Sequence, residues 1–370
     1  MKKIQVLKPY YRIDECLAEI KECLEIGWTG MGYKTEVFEK QWCDYTKLNN
    51  AHFLNSATAG LHLAVKVLKD HYRWPSGSEV ITTGFTFIST NHAIKYEDLQ
   101  PVFCDIDHSL NLDPEQIQKK ITPRTKAIIF VGLGGNAKNY EKVREIAKEH
   151  NIKLILDAAH MAGCRLDGAH VGNDCDVSVF SFQAVKNLPT ADSGMICFAE
   201  KHLDSIARKL SWLGIDKDTF NRSTSGTYKW DYGVDEVGYK YHGNSIMAAL
   251  GIVGLKYLDK DNEYRRSIAR EYINNLGESV EYIHHHAESS QHIFQIVVEN
   301  REEVINHLSE NSVYPGVHYR QNTEYSAYKV DYPLPVSDYY SKRILTLPIH
   351  MEITSDDVER VSKLVKQAIN

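Results

Sequence analysis

Apolar residues recur at helical spacing in two opening segments. These are 12–26 (Ile13, Cys16, Leu17, Ile20, Leu24) and 33–47 (Val37, Phe38, Trp42, Tyr45), and the spacing predicts two helices. The stretch "AHFLNSATAGLHLAVKVLKD" then reads as a short strand, a polar turn and a helix. Six short β-rich runs follow: "EVITTGFTF", "QPVFCDID", "KAIIFVGL", "KLILDAAH", "DVSVFSF" and "GMICFAE". Helical stretches at 88–96, 114–120, 139–150 and 201–210 separate several of them. Strands alternating with helices predict an α/β fold around a large, mainly parallel sheet. In such sheets ligands gather at the carboxyl ends of the strands.

From residue 245 the pattern changes. Residues 245–276 form one long helical stretch, with a break expected near Asp259–Asn262. Beyond it lie "HIFQIVVE", a helix at 301–310, "SVYPGVHY", "ILTLPIH" and a final helix at 355–368. The expected organisation is a large α/β domain over 1–245 and a smaller C-terminal α+β domain over 246–370, hinged on the long helix.

A net charge of -6 argues against a nucleic-acid partner, which usually meets a basic face. No apolar run approaches the length of a membrane span. Lys8 and Pro9 interrupt any signal-peptide core, and seven scattered cysteines without a C-x-x-C pair suit reduced thiols. A cytoplasmic protein is expected, with no membrane association. The run His284–His286 lacks matched acidic partners, so it reads as a solvated turn and no metal site is expected.

Chemistry-bearing residues stand where the strands end. "KLILDAAH" ends in Asp157, either a turn cap or a carboxylate held for a buried cation such as a pyridinium nitrogen. "DVSVFSFQAVKN" delivers Ser181 and then Lys186, either a loop lysine or an amine able to form a Schiff base with an aldehyde cofactor. Ser56 and Thr58 open a helix, as an ordinary cap or as an anion cradle. Phe85 and Phe87 follow an apolar strand, as core aromatics or with one of them lying on a planar ring.

In this order, the motifs resemble the PLP-dependent nucleotide-sugar aminotransferases of the DegT/StrS family, which have the fold-type I aminotransferase fold. The resemblance runs from "GWTGMGYKTEVFEKQW" through "NSATAGLHLAV", "GSEVITTGFTFISTNHAI", "LDAAH", "FSFQAVKN", "DSGM" and "GYKYHGNSIMAALG" to "GVHY" and "LPIHMEIT". It implies that Lys186 carries pyridoxal 5'-phosphate, that Asp157 pairs with the ring nitrogen, and that His160 sits near the ring hydroxyl. It implies Phe87 on the ring, and Ser56, Ala57, Thr58 and Ser181 at the phosphate. Gln183 belongs to the same cofactor set, at a place where many members have His. Trp28, Thr29 and Gly30 match a stretch near the sugar nucleotide. By their own chemistry His318, Tyr319 and Arg320 offer donors for a substrate hydroxyl or diphosphate, with Arg320 either such a donor or a surface charge. Such enzymes are homodimers with shared sites, so His242 or Asn244 is expected to reach the neighbour's cofactor.

The implied activity moves an amino group, with glutamate as donor, to a nucleotide-linked keto sugar. A 4-keto-6-deoxy hexose is favoured over a 3-keto sugar, giving a deoxyamino sugar for a polysaccharide such as a lipopolysaccharide O-antigen. The alternatives are a PLP-dependent sugar dehydratase of the same fold, whose members have His in place of the lysine, and a non-catalytic sensor or interaction protein. Two further departures stand out. "VGLGGN" at 131–136 lacks the His and Tyr often found there, and His242 replaces a frequent Asn or Arg.

Overall fold

The computed structural model describes residues 2–215 and 232–369. Its strands are β1 (Ile4–Gln5), β2 (Ala51–Leu54), β3 (Glu79–Thr83), β4 (Gln100–Cys104), β5 (Thr125–Val131), β6 (Lys153–Asp157) and β7 (Arg165–Leu166). There follow β8 (Ala169–His170), β9 (Val177–Ser181), β10 (Gly194–Phe198), β11 (Glu281–Tyr282), β12 (Phe294–Val297), β13 (Val313–Tyr314) and β14 (Ile344–Leu347). Among the first strands run α1 (Ile13–Ile26), α2 (Tyr33–Thr46), α3 (Ala57–His71), α4 (Ser89–Tyr96), α5 (Pro114–Lys120), α6 (Tyr140–Glu149) and α7 (Lys201–Ser211).

Seven strands make the main sheet, in the order β2-β10-β9-β6-β5-β3-β4. β10 runs antiparallel to both β2 and β9, and the other pairings are parallel. Six strands therefore end at one edge of the sheet, and β10 begins there. The strand runs read as continuous apolar stretches because both faces are covered. Ile155, Val177 and Val179 turn to a cluster with Leu61 of α3 and Leu203 of α7. Leu154, Leu156 and Phe180 turn the other way, to Phe38 and Trp42 of α2.

The C-terminal residues build a second core. The three-stranded sheet β11-β12-β14 packs with helices Leu258–Leu276, Arg301–Glu310 and Ser355–Ile369. Ile4 packs in this cluster, and β1 pairs in parallel with β13, so the first residues of the chain join the last. The short strands β1, β7, β8 and β11 are too brief to show a period. The helix Pro335–Arg343, which opens on a proline at its first turn, also falls outside the sequence expectations.

One boundary is corrected. The long helical stretch breaks between Ser245–Leu255 and Leu258–Leu276, not near Asp259–Asn262. Asp259 and Asp261 lie in the first turn of the second helix, where acidic side chains oppose the positive helix end. Asp261 also accepts both guanidinium nitrogens of Arg12, each at 2.6 Å.

An ionic knot ties α2, β2 and α7 together. Glu39 accepts from the Phe53 amide (2.7 Å) and from Arg208 (2.9 Å), and Arg208 also donates to Asp204 (2.8 Å) and to the Ala51 carbonyl. Arg208→Ala is expected to lose about 2–3 kcal/mol of stability, because two poorly solvated carboxylates lose their cation. The measurement is the urea midpoint, and Arg208→Lys should recover only part of the shift because it lacks the forked donor geometry.

Candidate active site

Where the parallel strands end, a cavity of about 550 Å³ opens. β2 leads into α3 through Ser56, whose Oγ accepts from the Ala59 amide at 3.1 Å. The hydroxyl is thus a helix cap, and the Ala57 and Thr58 amides behind it have no helical acceptor. Ser56, Ala57 and Thr58 line the cavity beside Ser181, the last residue of β9. Gly194 opens β10 against this turn. A Cβ there would lie 2.6 Å from the Ala57 nitrogen, so a side chain would fill the cradle. Free amides, hydroxyls and a helix N-terminus suit a phosphate.

Asp157 ends β6 and is buried. Its Oδ2 accepts from the Thr90 hydroxyl at 2.7 Å and its Oδ1 from the Ala159 amide at 3.2 Å. Burial pushes its pKa up, against the pull of these donors and of Lys186. Lys186 follows β9 and lines the same cavity. Burial lowers its pKa to about 8, while Asp157 pulls the other way. The amine is therefore largely a neutral nucleophile at mildly alkaline pH. The next side chain, Asn187, is tied down by bonds to Asn262 (2.7 Å), to the Ser290 carbonyl (2.7 Å) and to His292 Nδ1 (2.8 Å).

The two phenylalanines part company. Phe85 is fully buried, and Phe87 is exposed in the cavity wall. Its ring lies 5.9 Å from that of Tyr319. His160 accepts from the Gly134 amide at Nδ1 (3.1 Å), which leaves the proton on Nε2, 3.4 Å from the Tyr319 hydroxyl. Burial holds His160 well below the usual histidine range and His318 at about 4, so both rings stay neutral. Gln183 also lines the cavity, its Oε1 accepting from the Val185 amide.

Six residues singled out from the sequence lie outside this cavity within the single chain. The Thr29 and Gly30 carbonyls accept from Ser245, and Trp28 donates to the Met31 carbonyl. Asn244 caps the helix Ser245–Leu255, and the His242 ring meets Trp212 at 4.5 Å. Arg320 is exposed and paired with Glu324 at 2.7 Å. Thr90, Asn187 and His292 were missed. Thr90 and Asn187 lie within quoted motifs, and His292 opens the run "HIFQIVVE", yet none carries a chemistry that the sequence pattern alone picks out.

The glycines of "VGLGGN" have a physical reason. A Cβ at Gly132 would lie 2.0 Å from the Met161 sulfur, and one at Gly134 would lie 2.8 Å from His285. Met161 and His285 fill the space that larger side chains would take. The expected solvated turn at His284–His286 is therefore corrected. Only His284 is exposed, while His285 bonds Ser289 and His286 bonds the Arg165 carbonyl.

An anion cradle, a buried carboxylate with only neutral hydrogen-bond donors, an amine of lowered basicity and an open aromatic face together fit PLP. The family comparison agrees. Residues 11–366 match the DegT/DnrJ/EryC1/StrS aminotransferase family. The chain is 32% identical to the spore coat polysaccharide biosynthesis protein SpsC of Bacillus subtilis, over 96% of this chain and 94% of that one. Among solved structures, Spr1654 of Streptococcus pneumoniae in its PLP form superposes with a TM-score of 0.89 at 26% identity, covering 99% of this chain and 98% of that one. DesI with its TDP-sugar product superposes at 0.87 and 27% identity, covering 99% and 93%. The chain belongs to the DegT/DnrJ/EryC1/StrS family and is a PLP-dependent sugar aminotransferase.

In the cofactor-free protein, trace acetylation of Lys186, read by mass spectrometry of its peptide, is expected to titrate with a midpoint of about 8. An ordinary lysine titrates at about 10.4. Asp157→Asn should move the midpoint lower still, because the carboxylate favours the ammonium form. A wild-type midpoint near 10 would mean that the amine is solvated.

Proposed function

We propose that this enzyme transfers the amino group of glutamate to a nucleotide-linked 4-keto-6-deoxy hexose, with a 3-keto sugar as second choice. It acts as a cytoplasmic homodimer with shared sites and supplies a deoxyamino sugar to a surface polysaccharide such as an O-antigen. The observation that carries the reading is the placement of Lys186 and Asp157 in one cavity with the phosphate cradle. The nucleotide reading draws support from DesI, solved with its TDP-sugar product. Shared sites are supported by the 240–244 segment. It runs beside the strand entering the cradle (Asn55 amide to Tyr241 carbonyl, 2.7 Å), yet His242 and Asn244 do not line their own chain's cavity.

When bound, PLP would supply an electron sink for the substrate carbon that gives up a proton. The protein does the rest. Ser56, Ala57, Thr58 and Ser181 would hold the phosphate, and Phe87 would cover the ring. Asp157 would keep the ring nitrogen protonated, since an adjacent anion favours the charged form. The His160 Nε2 proton is available to the ring hydroxyl. Lys186 Nζ would anchor the cofactor, and as a free amine it would be placed to carry a proton between the substrate carbon and the cofactor carbon. A sugar dehydratase of this fold has His where this chain has Lys186, which disfavours that alternative.

The assignment is tested by offering dTDP-, UDP- and GDP-linked keto sugars with glutamate and following 2-oxoglutarate release. At least one 4-keto substrate is expected to react. Reaction of free keto acids or unlinked sugars alone would overturn the nucleotide-sugar reading and leave the PLP chemistry standing. Lys186→Ala should abolish transfer. Asp157→Asn should cut turnover by two orders of magnitude or more, about 3 kcal/mol of barrier, with a smaller effect on cofactor retention.

A further inference from the structure

We propose that Thr90 is a positioning residue for the cofactor: its hydroxyl holds the Asp157 carboxylate in place and in its charged form for the ring nitrogen, and Thr86 fixes the direction in which that hydroxyl donates. The proposal rests on the reading that Asp157 faces the ring nitrogen.

Thr90 is completely buried in the first turn of α4. Its Oγ1 lies 2.7 Å from Asp157 Oδ2 and 3.0 Å from Thr86 Oγ1. A hydroxyl has one proton, and an ionised carboxylate only accepts. The Thr90 proton therefore goes to Asp157, and the Thr86 proton must go to Thr90. Polarised in this sense, each bond strengthens the next. The frame around the pair is rigid. Asn322 donates to the Thr86 carbonyl (2.8 Å) through its side chain and to the Gly84 carbonyl (2.7 Å) through its backbone. Asn91 donates to Asn322 Oδ1 (2.7 Å) and to the Thr83 carbonyl (3.1 Å). The threonine pair is thus held by a residue from the C-terminal part of the chain.

Asp157 has two neutral donors, and the second, the Ala159 amide, is the longer at 3.2 Å. Without Thr90 the carboxylate keeps one long bond, its burial goes less compensated, and it drifts towards the neutral form and out of alignment. A threonine that merely packed α4 would be replaced by valine, its isostere, without consequence for the ring nitrogen.

The test compares PLP with 1-deaza-PLP, in which a carbon–hydrogen group replaces the ring nitrogen. Each is titrated into cofactor-free protein, with binding read from absorbance and tryptophan quenching. Wild type is expected to prefer PLP, and Asp157→Asn to erase that preference. Thr90→Val should reduce the preference about tenfold while leaving deaza-PLP affinity unchanged. Thr90→Ser, which keeps the hydroxyl, should retain it, and Thr86→Val should lower it by less. Thr90→Ala takes the place of the valine variant should that one not fold. If Thr90→Val keeps the full preference while Asp157→Asn loses it, Thr90 is only a packing residue and the proposal is overturned. If Asp157→Asn also keeps it, the ring-nitrogen reading fails and takes the proposal with it.

Discussion

Asp157 carries a charge to the end of a strand whose neighbours, Leu156 and Val179, are fully buried. Removing an ion from water costs several kcal/mol even after relaxation. Here the compensation is partial: a hydroxyl, an amide and a lysine whose own basicity is depressed by the same burial. The site is held in electrostatic tension, and a cation placed between the strand ends relieves it. The cavity, the cradle and the aromatic wall surround the position where that relief is needed.

Such a deficit is sustained only by stiff surroundings, and much of the stiffness comes from residues far along the chain. The segment 284–292 reaches back to the loops after β5, β6 and β9. Ser289 and Ser290 bond the carbonyls of Gly135 and His160, and His292 bonds Asn187 beside Lys186. Asn322 performs the same office for the loop after β3. The C-terminal residues therefore frame the geometry of the site as well as adding mass beside it.

The alternation of apolar runs and helices was enough to read the parallel sheet, because strands buried on both faces leave long unbroken signatures. The charged and nucleophilic residues at the strand ends were legible for the same reason: a strand end is easy to find and its side chains are few. Phe85 and Phe87 were not separable, since their different fates depend on a turn pinned by the Thr83 hydroxyl, a tertiary detail without a period. Asp259 and Asp261 looked like a break because acidic residues also favour helix starts. Thr90 and Asn187 act through partners 67 and 75 positions away, and no local pattern encodes such distances. Met161 filling the space over Gly132 is a compensation between two loops that neither loop reveals alone.

The antiparallel strand β10 of the main sheet has a consequence for the order in which the protein is made. β2 lies at the margin of the sheet, and its one strand partner there, β10, is encoded about 140 residues later. As the chain leaves the ribosome, β3 to β6 can begin to assemble while β2 waits with an unpaired edge. The helix turn that follows β2 waits with it. Only when 194–198 have emerged does the strand leading into the Ser56–Thr58 turn gain its neighbour, and Leu54 is bridged later still by His242. The Ser56–Thr58 turn thus gains its strand neighbour late, after most of the sheet that surrounds it has been synthesised.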